Sequence, residues 1–181
     1  MMTYELVRDC TNHINGRKKG AEARIARLTE AGCPLDRTEL RRWLESRLNA
    51  DHEQAGGLFQ HSTMRLTHGG DPNLPSTRRY GSYITRVALE LEFVAAGTEQ
   101  PDEEGEPFTV EESYWFVHRS HGSPIYIHQA DLTADEAEAE AKLRLLADST
   151  YHTTYAAALA AVTREVEARE TKLAAKRQAH N

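Results

Sequence analysis

Nine histidines are many for a chain of 181 residues. Five of them, His61, His68, His118, His121 and His128, fall in or beside stretches patterned as strands. Such residues serve metal ligation or proton transfer. Metal ligation lacks its usual spacings: there is no HExxH, no CxxC, and neither Cys10 nor Cys33 lies near these five histidines in sequence. His118 and His121 supply at most two ligands and no third is assignable, so no metal and no cofactor is expected. Proton transfer is better served. His61-Ser62-Thr63 and His118-Arg119-Ser120 are two H-x-[ST] tripeptides on strand-patterned stretches. A period of two puts each imidazole and its hydroxyl on one face, where the ring can move a proton and the hydroxyl can hold an oxygen of a substrate. Arg65, Arg78, Arg79 and His128 are the candidate anion-binding residues beside them. No GxGxxG, P-loop or GxSxG elbow is present.

The pair of tripeptides resembles the 2H phosphoesterase family, in which two such motifs face one cleft. The resemblance implies that one of His61 and His118 acts as general base and the other as general acid on a cyclic or 2′,3′ phosphodiester. It also implies that Thr63 and Ser120 bind the phosphate.

Periodicity indicates the elements that must position these residues. Residues 80–96 alternate: Tyr83, Val87, Leu89, Leu91 and Phe93 on one parity, Arg86, Glu90 and Glu92 on the other, as in a strand with one buried and one wet face. Residues 58–67 form a strand before it, with Phe59, His61, Thr63 and Arg65 on one parity. Residues 108–119 form a strand that is apolar on both faces through Tyr114, Trp115, Phe116 and Val117. Such a strand is central in its sheet or lies at an interface. Residues 125–130 form the fourth. Between the first two lies an irregular loop, His68 to Arg79, with two glycines and two prolines. Residues 97–107 carry five carboxylates without the ligand spacing of a calcium loop and read as a solvated hairpin connection. Short connections favour sequential pairing, so a four-stranded antiparallel meander is expected.

Helices frame these strands. Residues 3–31 are helical except at Asn15 to Gly20, where two glycines would each cost a helix interior about 1 kcal/mol. If 4–31 were one continuous helix, Cys10 and Cys33 would stand roughly 35 Å apart at 1.5 Å per residue, beyond disulfide reach; a break would bring them closer. They are read as buried small apolar residues. Asp36 with Glu39 opens the next helix, whose Leu40, Trp43, Leu44 and Leu48 form a stripe, with Trp43 expected to anchor it on the sheet. Thr133 with Glu136 is a capping box for a helix over 134–148. A last helix over 151–176 carries Tyr155, Leu159, Val162, Val166 and Leu173 at spacings of four and three, with Arg169 in the remaining seam position. The fold class is therefore α+β: a meander flanked by an N-terminal and a C-terminal helix pair. It is read as a single domain over 1–181, made of a helical arm (1–50), a sheet (57–131) and C-terminal helices (133–178).

Net charge is −6 and unevenly spread: residues 1–90 carry +3 and residues 91–181 carry −9. Arg17, Lys18, Lys19, Arg24 and Arg27 form the one local basic cluster, too small for a dedicated nucleic-acid domain. No apolar run suits a membrane span and no secretory signal is visible, so a cytoplasmic location without membrane contact is expected. With a strand apolar on both faces, a helical seam and no strong catalytic motif, the leading expectation is a small binding or assembly protein. Its expected partner is another protein or a second copy, as a homo-oligomer. The phosphoesterase, with a small phosphorylated ligand, is the alternative, and a nucleic-acid accessory role through the N-terminal basic residues ranks third.

Overall fold

The computed structural model describes residues 1–65, 70–102 and 104–178, with Arg65 described in its backbone alone. His68 and Glu103, both noted above, lie outside the described residues. Contacts divide the chain into two compact units, Met1–Gly56 and Gly57–Asn181.

The first unit is helical: α1 (Tyr4–Ile14), α2 (Ala21–Glu30) and α3 (Arg37–Gln54). The predicted interruption separates α1 from α2, because Gly16 and Gly20 take the left-handed backbone, at φ +67° and +68°, that an L side chain resists. Thr3 caps α1, and the Asp36 carboxylate accepts the Thr38 and Glu39 N–H groups to start α3. The resulting bend lets Cys10, Leu28, Cys33, Leu40 and Leu44 meet in one core. The two cysteines lie buried in one cluster rather than far apart. Trp43, expected on the sheet, packs against this helical cluster.

The second unit corrects the single meander. Among the described residues the strands form three small antiparallel sheets. The first has the order β2 (Tyr80–Val87), β1 (Leu58–Arg65), β8 (Tyr151–His152). The second has the order β3 (Leu89–Val94), β6 (Tyr114–Arg119), β7 (Ile125–Ile127). A two-stranded hairpin, β4 (Glu99–Pro101) with β5 (Pro107–Thr109), completes the set. The predicted long strand over 80–96 is thus two strands with different partners. The switch falls at Ala88, and Ser120 holds it. Ala88 N–H donates to Ser120 Oγ at 3.1 Å, Ser120 N–H donates to Ala88 O at 3.0 Å, and the hydroxyl also reaches Arg86 O at 3.4 Å. A second correction concerns residues 151–152, expected to begin the last helix, which instead extend the first sheet.

Two helices cover the sheets. α4 (Ala134–Leu146), opened by the predicted Thr133–Glu136 capping box, packs its Ala137, Ala141 and Leu145 against Leu58, Val87, Val117 and Ile127, so one helix serves both sheets on one side. α5 (Tyr155–Gln178) buries Ala158, Ala161, Val162 and Val166 and contacts β1, β2 and β8. On β1, Leu58 faces the α4 core, while Phe59, on the other parity, stacks edge-on against Tyr155 at the start of α5, 5.9 Å between ring centroids. Among the described residues of this unit, α5 makes its extensive contacts with the first sheet, and α4 is the helix that packs on the second. No helix among the described residues is long and apolar enough to cross a membrane.

Candidate functional sites

The alternation of β1 places Phe59, His61 and Thr63 under α5. Three turns into α5, at the spacing of its buried stripe, comes Glu165. Its carboxylate bridges the first tripeptide: Oε1 lies 3.1 Å from His61 Nε2, and Oε2 accepts from the Thr63 hydroxyl at 2.8 Å. His61 is 4% exposed. Its Nδ1 lies 3.1 Å from the Thr150 carbonyl oxygen and 2.8 Å from His152 Nε2. Thr150 is itself set by Asp148, which accepts both its N–H and its hydroxyl at 2.9 Å. A chain of contacts therefore runs from Thr63 through Glu165 and His61 to His152 on β8.

The electrostatics follow from this arrangement. Burial works against ionised Glu165, but the bonds from Thr63 and His61, with the charges of His61 and Arg169, outweigh it and hold its pKa below the usual glutamate value. Burial first, then the charge on His61 and that of Arg164, hold His152 below the usual histidine value. Only one proton fits between His61 Nδ1 and His152 Nε2 at 2.8 Å, because a second would set two N–H groups against each other. Farther along the same face, the Arg169 guanidinium lies 4.4 Å from the centre of the Tyr80 ring.

His118 stands elsewhere. It lies on β6 of the second sheet, half-exposed, 3.6 Å from Glu92 Oε2 and edge-on to Phe116 at 4.3 Å. The structure gives the two tripeptides separate partners on separate sheets. Both hydroxyls are engaged, Thr63 by Glu165 and Ser120 by the backbone at Ala88. His61 does find a second imidazole, but it is that of His152, which is not among the residues the sequence points to. Arg78 and Arg79 are exposed at the exit of the loop into β2. The Arg65 side chain lies outside the described residues. In the N-terminal basic cluster, Arg27 pairs with Asp9 at 2.6 Å, and buried Arg24 donates to the carbonyls of Arg17 and Lys19. Among the described residues no group of three or more His, Cys, Asp or Glu is placed to hold a metal ion.

The second sheet carries the larger feature. Its uncovered face presents Tyr114, Phe116 and His118 from β6, Tyr126 and His128 from the β7 side, and Glu92 from β3, as the register requires. The rings contact one another: Phe116 and Tyr126 are 5.0 Å apart edge-on, Tyr114 and Tyr126 5.6 Å, Tyr114 and His128 5.9 Å. The β4–β5 hairpin stands over this floor and contributes Phe108 and Asp102, enclosing an open groove of about 560 Å³. Two of its rings, Phe108 and Tyr126, are 47% and 46% exposed. Asp102 is fixed in place, since one of its oxygens accepts the Glu104 and Glu106 N–H groups at 2.9 and 2.8 Å. His118 and His128 are thus brought to one face, and that face is aromatic.

No protein-family model, curated protein or solved structure matches this chain.

Proposed function

We propose that the chain is a cytoplasmic binding protein that holds an extended segment of a protein partner in the groove of the second sheet. One observation carries this reading: a contiguous aromatic floor, on the sheet face away from α4, rimmed by a hairpin into a groove of about 560 Å³. Aromatic side chains supply large contact area at small entropic cost and are enriched where proteins bind one another. The volume lies in the range of specific binding clefts. Support against catalysis comes from the tripeptides, whose hydroxyls are engaged, and from the burial of His61.

The test is selection of displayed random peptides on the full chain, followed by titration of the recovered peptides against wild type and Tyr126→Ser. Tyr126 is half-exposed, so circular dichroism should show the variant folded. The proposal expects each selected peptide to lose at least about tenfold in affinity, or roughly 1.4 kcal/mol. Peptides that bind the variant as well as wild type, or no recovered peptide, would overturn it. A dimer on a sizing column that Tyr126→Ser disperses would make the partner a second copy.

A further inference from the structure

We infer that the groove accepts an organic cation, the guanidinium or ammonium end of an arginine or lysine side chain on the partner; this rests on the binding role just proposed. Aromatic faces carry negative charge at their centres and attract such groups when water is displaced. Here Tyr114, Phe116, Tyr126 and Phe108 line one groove with two carboxylates, Glu92 and Asp102. No lysine or arginine is among its described lining residues; the imidazoles at hand are His118, which sits against Glu92, and His128, beside Tyr114. The surroundings have the same sign, since residues 91–181 carry a net −9. A base or nucleotide could stack on the same rings, but its phosphates would meet Glu92 and Asp102, whereas single-strand sites pair their aromatics with basic grooves.

Three blocked tripeptides test the assignment: acetyl-Gly-X-Gly-amide with X arginine, norleucine or glutamate, titrated into the full chain while the ring protons of Tyr114, Phe116 and Tyr126 are followed by NMR. The arginine peptide should shift those rings and bind about tenfold more tightly than norleucine; glutamate should not bind. The paired variant Glu92→Gln with Asp102→Asn should reduce arginine to the norleucine level and leave norleucine unchanged. Both substitutions preserve the local fold, because glutamine can still reach His118 and asparagine keeps the oxygen that holds the Asp102 turn. Equal binding of arginine and norleucine would overturn the cation and leave the groove standing as a binding site. Absence of ring shifts with every peptide would overturn the cation and, together with a failed peptide selection, the binding role.

Discussion

Acid should loosen the second unit through a single proton at His152. The folded protein holds His152 below its usual pKa, first by burial and then through the charge on His61 and that of Arg164. In the unfolded chain this imidazole titrates near the ordinary value of about 6.5. Below that pH the unfolded state binds a proton that the folded state excludes, so stability must fall as pH falls. The geometry supplies the reason, for a proton on both rings would place two N–H groups nose to nose at 2.8 Å. The facing groups are few. Glu165 and Thr150 O already serve His61, Arg164 repels, and Asp148 is occupied by Thr150. One proton gives a limiting slope of about 1.4 kcal/mol per pH unit, and water at the half-buried His152 reduces it, so a loss of about 1 kcal/mol between pH 6.5 and 5.5 is expected. Glu165 and Asp148, both held low when folded, add losses of the same sign only as pH falls through the carboxylate range. Urea unfolding at pH 7.5, 6.5 and 5.5 measures this, in a Trp43→Phe background so that Trp115 alone reports on the second unit. His152→Gln keeps a hydrogen-bonding group without the titration, and its stability should be flat across that interval. An equal loss in wild type and variant, or none in wild type, would refute the reasoning.

Ser120→Ala should destabilise the second unit by about 1 to 2 kcal/mol, measured by urea midpoint, because it strands the Ala88 N–H where the chain changes sheets. Asp9→Asn should cost the first unit about 2 kcal/mol: Asp9 is 5% exposed and accepts two bonds from Arg27, which partial exposure of Arg27 keeps from being larger. Its carboxyl is held below the usual aspartate value, chiefly by the Arg27 bond, so thermal melts of that unit should show the Asp9 contribution fading as pH falls through the carboxylate range. Burial pushes the Cys10 thiol up to about 12. Native protein at pH 8 should therefore react with a thiol reagent far more slowly than protein in urea, and equal rates would contradict the buried contact with Cys33.

What the sequence shows of this fold depends on the reach of each signal. Alternation in 80–96 marks the buried parity, but Val87 and Leu89 keep that parity across the partner switch at Ala88, so the pattern reads through the corner without registering it. β8 has two residues, too few for any period. The sites divide in the same way. His61 and Thr63 are visible as a tripeptide, whereas Glu165 and His152 come to them from 104 and 91 residues away. A local trace of Glu165 did exist. The buried face of α5 runs through Ala158, Ala161, Val162, Val166 and the half-buried Arg169, and Glu165 falls on it. The seam expected from spacing shares Val162, Val166 and Arg169 with that face, and Arg169 is its one charged member. The groove was hidden for a different reason. Tyr114 and Phe116 suit a strand buried on both sides, and β6 is indeed central in its sheet. Whether their face is covered depends on where α5 lies, and its extensive contacts are with the first sheet alone. An aromatic face left open is thus a consequence of topology, and its openness becomes legible only after the helices have been assigned to their sheets.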